Sequence, residues 1–221
     1  MKRPCYQPEV MFRESFSEGF LEDTLRTLFD ACSGSFAACK NNFQPHEARD
    51  LRPHYRRGLF DQMWREVARY HPGVTGTCEF NAARNCRHTT ITSGEVVLTA
   101  SFHESLTKPV QYAVFRDTLG RDNRFLFPEM DADPPDDARL YALHAYSVST
   151  DHRFPRLATV VFPIHNGRAV IYPEARIPLF AMFPHVVEQM GMKHHVAEER
   201  IEDQVQPRLL GDRFNRTDDE Q

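Results

Sequence analysis

The spacing of apolar residues changes once along the chain, and this change limits the folds that the chain can adopt. Up to Tyr70 the apolar residues recur at the three- and four-residue spacing of an amphipathic helix. From Val74 to Phe183 they alternate with polar residues and are interrupted by turn-forming pairs, as in antiparallel strands. The sequence therefore predicts an α+β fold: N-terminal helices packed on a largely antiparallel β-sheet, followed by a C-terminal helix.

Two helices are predicted before the sheet. Ser15 has the position of a capping residue for the first helix, and Gly34 follows its last apolar residue and is predicted to end it. The second helical pattern begins near Pro45. Because proline is tolerated at the first helical position and disruptive later, Pro53 is predicted to begin the main helix, which runs to Tyr70.

The strands are marked by their turns. Ser93-Gly94 and Asn166-Gly167 each predict a two-residue hairpin turn, the second with Phe162 opposite Ile171. The segment 110–119 is compatible with either a helix or a strand. The predicted strands are 77–82, 87–92, 95–102, 139–149, 157–164, 168–172 and 177–182.

A length of 221 residues suits one large domain or two small ones. We predict a single α+β domain over residues 1–206, with a helical part at 10–72, a sheet part at 74–183 and a final helix at 184–204. The polar segment 207–221 is predicted to be a flexible tail.

Composition narrows the classes of protein. The net charge of −4 argues against a protein dominated by non-specific nucleic-acid binding, but it is compatible with a local basic patch. Five cysteines without a C-x-x-C pair, and no signal-peptide pattern at the N-terminus, predict free thiols and a cytoplasmic location. No apolar run approaches the roughly 18 residues of a membrane span, so no membrane partner is predicted. The sequence makes no prediction of oligomeric state.

A cluster of basic residues at the predicted start of the main helix is the first candidate site. Cations in the first turn of a helix oppose its dipole, and free backbone N–H groups there favour anions. The cluster therefore predicts contact with a phosphate-bearing or other anionic partner, nucleic acid first among them. The alternative is a solvated charged face, partly paired with Glu47, Asp50 and Asp61. The basic residues are Arg49, Arg52, His54, Arg56 and Arg57.

The hairpin at Ser93-Gly94 is the second candidate site. A two-residue turn there would place His88 opposite Thr99, on a polar face of the hairpin. A histidine beside a thiol and hydroxyls suits nucleophilic or general-base chemistry. The alternative is an ordinary solvent-facing strand rich in threonine. The polar face comprises Cys86, His88, Thr90, Thr92, Thr99 and Ser101, and the core face Ile91, Val96, Leu98 and Ala100.

Three functions follow as hypotheses. The first is a cytoplasmic protein that binds a phosphate-bearing partner through the basic cluster. The second is a hydrolase or nuclease whose catalytic group is His88, with Thr99 and Ser101 nearby and Arg84 and Arg87 stabilising charge. The third is a protein-interaction or regulatory component without catalysis. Convergence of His88, Arg84 and the region of Arg56 on one concave surface would favour an enzyme acting on phosphate substrates.

Metal binding is not predicted. The histidines form neither an H-E-x-x-H motif nor a Cys/His finger, and the sequence predicts no metal and no cofactor. His194 and His195 stand four residues before Glu198 and Glu199, but such pairs more often belong to a packed helix. His144, within a predicted strand, is likewise predicted to be a packed histidine bonded to a neighbour.

Overall fold

Six helices and six strands are described in the computed structural model, which covers residues 7–80, 84, 86–106, 113–121, 123, 138–165 and 169–191. Helices precede the sheet, so the predicted α+β class and its order are confirmed. The helices are α1 (Pro8–Ser15), α2 (Glu18–Asn42), α3 (Pro45–Tyr70), α4 (Val114–Gly120), α5 (Leu179–Met182) and α6 (Pro184–Gln189). The strands are β1 (Val74–Phe80), β2 (Arg87–Ser93), β3 (Val96–Phe102), β4 (Leu140–Val148), β5 (Pro155–His165) and β6 (Ala169–Pro178).

The six strands form one sheet in chain order. Every neighbouring pair is antiparallel except β3 and β4, which run parallel. Parallel neighbours need a crossover connection, and α4 lies within it. The sheet is therefore largely antiparallel, as predicted, with one parallel pair at its centre.

The two faces of the sheet are covered by different helices. Side chains of α1, α2 and α3 form the main core against one face, with Phe20, Trp64 and Leu98 fully buried. The Trp64 Nε1–H donates to Thr24 Oγ1 over 3.0 Å, which links α2 and α3 inside this core. On the opposite face a smaller cluster of β4 and β5 residues contacts Leu119 of α4. Successive strand residues point to opposite faces, so β4 contributes to both clusters.

The first predicted helix corresponds to α2, but its predicted cap at Ser15 and its predicted end at Gly34 are wrong, and helix α1 before it was not predicted. Helix α1 ends at Ser15, and Ser17 caps α2 by accepting a hydrogen bond from the Phe20 N–H at 3.2 Å. Helix α2 also continues past Gly34. A Cβ at Gly34 would lie only 3.2 Å from Leu59 Cδ2, so this glycine permits close packing of α2 on α3.

Helix α3 begins at Pro45 and continues through Pro53, so the predicted start at Pro53 is wrong. A capping box stabilises the earlier start, because the Gln44 N–H donates to a Glu47 carboxylate oxygen at 3.0 Å. Pro53 removes one helical hydrogen bond, but it and Arg49, whose carbonyl loses the donor, are both exposed to water. The basic cluster therefore lies inside a long helix, and the argument from a helix N-terminus does not apply to it.

The β2–β3 turn is one residue later than predicted. Ser93 pairs with Val96, so the turn residues are Gly94 and Glu95 rather than Ser93 and Gly94. Gly94 has a φ of +52°, a left-handed conformation that glycine adopts without steric cost. The sequence therefore predicts a two-residue turn that contains Gly94 correctly, but the turn begins one residue later than predicted.

This later turn changes the partners across the hairpin without changing its faces. Thr99 lies opposite Thr90, whereas His88 was predicted there. The register differs by two residues, and side chains alternate with a period of two, so each stays on its predicted face. Ile91 and Leu98 are accordingly fully buried in the core.

The β5–β6 pair is antiparallel as predicted, with a different register. Pro163 lies opposite Ile171, so the predicted pairing of Phe162 with Ile171 is wrong by one residue. The pairs nearer the turn, Ile164 with Val170 and His165 with Ala169, have the same register, so the shift begins on the turn side of Pro163. A separate irregularity in the pairing lies between Val161 and Pro163. The predicted turn at Asn166-Gly167 lies outside the described residues. The predicted strand 177–182 ends at residue 178, where β6 gives way to α5.

A buried asparagine extends the pairing of β4 with β5. Their regular pairing begins at Leu143 and Val161, and continuing the same register by two residues would bring Tyr141 opposite Pro163. Pro163 has no N–H to donate. The Asn123 side chain supplies the missing donor. Its Nδ2 atom donates to the carbonyls of Tyr141 and Pro163, each at 2.7 Å. Its Oδ1 atom accepts from the Tyr141 N–H, also at 2.7 Å.

Two further sequence predictions are met in part by the described residues. Cys32, Cys39, Cys78 and Cys86 are free thiols, and Cys5 lies outside the description. None of the helices described is long and apolar enough to cross a bilayer. The predicted final helix 184–204 begins as α6 but ends at Gln189, so its predicted length is wrong. Residues 192–221, with His194 and His195, lie outside the description.

Candidate functional site

Strands β2 and β3 separate at one end of their hairpin. Their pairing stops at Thr90 and Thr99, although β2 begins three residues earlier at Arg87 and β3 runs three residues further to Phe102. Strand β2 stays paired with β1, and β3 stays paired with β4, over their whole lengths. The sheet therefore divides into two arms, and we call the gap between residues 87–89 and 100–102 the fork.

The β2 arm is held by helix α3. The Arg57 guanidinium donates to the carbonyl of Arg87 at 3.0 Å, and that of Arg65 donates to Thr89 Oγ1 at 2.7 Å. The β3 arm stays paired with β4, and its contact with α3 is the Arg56 guanidinium, 5.8 Å from the centre of the Phe102 ring. These separate attachments keep the two arms apart.

A cavity of about 540 Å³ occupies the fork. Its walls come from α3, both arms of the fork, α4 and the loop after β4. We call it the fork cavity. Both predicted sites meet in it, since the sequence-predicted residues that line it are His54, Arg56, Arg57, His88, Thr99 and Ser101.

The other residues of the basic cluster lie elsewhere on α3. Arg49 is largely exposed and faces the Asp50 carboxylate at 3.7 Å. Arg52 reaches the loop after β4, where its guanidinium donates to the carbonyl of Asp151 at 3.1 Å. Neither side chain lines the fork cavity.

Two arginines predicted to serve the hairpin site also lie outside the cavity. Arg87 stacks over the Phe80 ring at 4.0 Å, towards the outer strand β1. Arg84 is exposed and has a φ of +53°. The structure therefore brings His88 and the Arg56 region together without Arg84.

Arg56 is a buried cation in the cavity wall. It is 3% exposed, and its Nε and Nη1 atoms have no hydrogen-bond partner among the described residues. Its guanidinium lies 5.8 Å from the centre of the Phe102 ring. Burial raises the pKa of the neighbouring Tyr146 hydroxyl, and the charge of Arg56 opposes that rise. The Tyr146 hydroxyl accepts a hydrogen bond from Arg56, which also lowers the Tyr146 pKa. A guanidinium remains protonated, so the cavity wall holds a positive charge with a neutral partner at Tyr146 and two nitrogen atoms that have none among the described residues.

A carboxylate lies beside these cations. Asp61 Oδ2 is 3.8 Å from Arg57 Nε, and both residues line the cavity. Burial raises the pKa of Asp61 to about 6, while the charges of Arg57 and Arg65 lower it. Asp61 is therefore mainly ionised at neutral pH and becomes protonated in mildly acidic solution.

Across the fork, α4 supplies a third arginine. The Arg116 guanidinium donates to Ser101 Oγ at 3.1 Å, and burial lowers the pKa of Arg116. The Thr99 hydroxyl is also engaged, at 2.8 Å from the Tyr141 hydroxyl. The hydroxyls predicted to neighbour His88 thus serve the packing of α4 and β4.

His88 forms part of the same wall as α4. Its ring stacks on that of Phe115, with 4.1 Å between ring centres. Its Nδ1 atom is buried and has no hydrogen-bond partner among the described residues. Burial lowers the pKa of His88, the charges of Arg57 and Arg116 lower it further, and Glu79 opposes them. His88 is therefore neutral at neutral pH.

His144 lies behind the cavity, fully buried between aromatic rings. The centres of the Phe60 and Trp64 rings are 5.7 and 6.1 Å from that of His144. Neither ring nitrogen has a hydrogen-bond partner among the described residues, in contrast to the predicted bond with a neighbour. Burial lowers the pKa of His144 to about 3, so it is a neutral core residue.

Several residues that line the fork cavity were not predicted from the sequence to belong to a site. Arg116 fell in a segment compatible with helix or strand, and Asp61 was considered only as an ion-pair partner. Phe102 closes a predicted strand on its core face, and nothing in the sequence indicates that it stays exposed. His152 lies in the loop after β4, and its contribution depends on how that loop folds against α3.

The arrangement suits an anion attached to a planar group. The cavity lining contains three arginines, Arg56, Arg57 and Arg116, and two carboxylates, Asp61 and Glu104, so its positive charges outnumber its negative ones. Aromatic rings line it on both arms of the fork and on α4. Among the described residues, no group of three or more His, Cys, Asp or Glu side chains is placed to hold a metal ion.

Comparison of the chain with protein-family models, with curated proteins and with solved structures finds no match.

Proposed function

We propose that the protein binds a phosphate-bearing ligand in the fork cavity, the phosphate being that of a nucleotide or a nucleic-acid strand. The observation that carries this proposal is the buried Arg56 side chain with two nitrogen atoms that have no partner among the described residues. This proposal keeps the predicted partner and moves its site from a helix N-terminus to the cavity.

Arg56 is a buried charge with only neutral partners. A buried ion without a counter-ion costs several kcal/mol, and the Phe102 ring and the Tyr146 hydroxyl offset only about 1–2 kcal/mol each. A phosphate oxygen would accept charge-assisted hydrogen bonds from the Arg56 Nε and Nη1 atoms, and two such bonds in parallel are favoured by the planar guanidinium. Arg57 and Arg116 add positive potential on either side of the fork.

The size of the cavity limits the form of the ligand. About 540 Å³ lies within the ordinary range for small-molecule sites. A nucleotide, or the end of a single strand, can enter such a cavity, whereas a duplex can contact only its rim. The overall charge of −4 also favours a local site over general attraction to nucleic acid.

Calorimetric titration with inorganic phosphate and with sulfate tests the proposal. Arg56→Met keeps the length of the side chain and removes its charge, so we expect at least a tenfold loss of affinity for both anions. The variant should fold at least as stably as the wild type, because it removes a buried charge. Arg49→Met is the matched control, since Arg49 lies on the same helix but outside the cavity. Unchanged affinity in Arg56→Met would refute the proposal.

The nucleic-acid form of the proposal has its own measurement. Fluorescence anisotropy across a salt series should show binding to single strands that weakens with a log–log slope of about −0.7 per phosphate contact. Replacing Arg56 and Arg57 together by Gln should reduce the magnitude of that slope by the amount that corresponds to up to about two phosphate contacts. No binding to DNA or RNA at low salt would remove nucleic acid as the partner, and a protein-interaction role would then gain weight.

A hydrolase centred on His88 is the second candidate, because His88 lies in the same cavity as the three arginines. A neutral imidazole is the form that a general base requires. Turnover of a chromogenic phosphodiester by the wild type, and its loss in His88→Ala with the fold retained, would support this function. A wild type without turnover would exclude the activity on that substrate class.

A further inference from the structure

Phe102 is an exposed ring in an otherwise well-buried row. It ends β3 on the face where Val96 and Leu98 are buried, yet it is 43% exposed and lines the fork cavity. Single exposed apolar residues are common on proteins. Here the exposed ring stands at a cavity that also contains an unsatisfied cation, so a ligand could cover both.

The neighbours of Phe102 fix its orientation. The Tyr146 ring meets it edge to face, with 6.1 Å between centres and an angle of 77° between planes. The Arg56 guanidinium lies 5.8 Å from its centre. A phosphate bound by Arg56 would therefore lie next to a ring that is held in place and partly open to the cavity.

The other two lining phenylalanines are less suited to stacking. Phe60 is only 1% exposed. Phe115 already stacks on His88, with 4.1 Å between centres and an angle of 16° between planes, and the Arg116 guanidinium lies 5.1 Å from its centre. Phe102 has the Arg56 guanidinium beside it but no parallel ring stacked on it among the described residues, so it is the lining phenylalanine most open to a further planar group.

From this juxtaposition we infer that the fork cavity takes a nucleotide unit whose base stacks on Phe102 while Arg56 binds its phosphate. The inference rests on the proposed function and extends it from phosphate to a phosphate with an attached base. Stacking on an aromatic side chain tolerates any base, since every base has a π-face. We therefore expect little preference among the four bases.

Titration of one set of variants with inorganic phosphate and with a nucleoside monophosphate tests the inference. The wild type should bind the nucleotide at least fivefold more tightly than inorganic phosphate. Phe102→Ala should weaken nucleotide binding by between about 5-fold and about 150-fold, and it should change phosphate binding by less than twofold. Phe102→Leu, which keeps apolar bulk without an aromatic face, should behave like the alanine variant.

The control is Phe80→Ala, because Phe80 is an exposed phenylalanine that also lies under an arginine but outside the cavity. It should leave both affinities unchanged. Equal loss of both ligands in Phe102→Ala, or no loss of either, would overturn the inference and leave phosphate binding intact. Failure of the wild type to bind either ligand would overturn the proposed function itself. Comparing a nucleoside monophosphate with a short single strand distinguishes a free nucleotide from a strand end.

Discussion

Replacing Asp61 by Asn should tighten anion binding in a pH-dependent manner. The Asp61 carboxylate shares the fork cavity with Arg56 and lies 3.8 Å from Arg57 Nε. For an assumed separation of about 7 Å and an effective dielectric constant of about 20, its charge would oppose binding by about 2 kcal/mol for each unit of charge on the anion. The adjacent Arg57 offsets most of this, so we expect a net effect of about 1 kcal/mol, or about fivefold tighter binding at pH 7.5.

Sulfate is the best probe because it keeps its charge in mildly acidic and neutral solution. The raised pKa of Asp61, about 6, places its titration in this range. Wild-type affinity for sulfate should fall as the pH rises through about 6, and Asp61→Asn should lack that step. Below about pH 5 the two proteins should bind sulfate equally. A ratio of affinities that stays constant from pH 5 to pH 7.5 would refute the placement of Asp61 within reach of the anion.

The same carboxylate should leave a signature in stability. A carboxyl group with a pKa of about 6 in the fold and about 3.9 in the unfolded chain favours folding in its protonated form. Its contribution, about 3 kcal/mol, is therefore fully present below about pH 3.9 and is lost as the pH rises through about 6. Chemical denaturation of the wild type and Asp61→Asn across this range should show a smaller fall in the variant.

The remaining predictions concern the fold. Ser17→Ala should lower the free energy of unfolding by about 1 kcal/mol, because it removes the cap of α2, and urea denaturation followed by circular dichroism would reveal it. Asn123→Ala should cost about 3 kcal/mol, since three buried backbone groups lose their partner; a cost below about 1 kcal/mol would contradict the bridging role. Thiol titration of denatured, unreduced protein should find all five cysteines free, and a count of three or fewer would oppose a reducing location.

The fold class could be predicted because it depends on the period of the apolar residues over long segments. The change near residue 72 separates α3 from β1, and the assignment of Ile91 and Leu98 to the core survived a two-residue shift of register. Details that depend on tertiary contact could not be predicted. Gly34 lies within α2 because α3 approaches it closely, and Pro53 is tolerated because its side of α3 faces water.

The site illustrates the same limit. The two polar clusters could be found in the sequence, since each is local, but their meeting in one cavity depends on how β2 packs on α3. Arg116 comes from the crossover before β4, and no local pattern relates it to Arg56. The exposure of individual side chains could not be predicted either. Nothing in the sequence shows that Arg56 is buried while Arg49, on the same helix, faces solvent.

Asn123 has a consequence for how the ligand site could vary. It fastens the chain to the backbone of β4 and β5 only three residues after α4 ends, and α4 carries Phe115 and Arg116 to the fork. The hydrogen bonds of Asn123 therefore fix the position of α4, which forms one wall of the site, relative to β4 and β5. Insertions or deletions between Asn123 and β4 would then leave that wall in place. The part of the crossover before Asn123 and the part after it are therefore free to evolve at different rates.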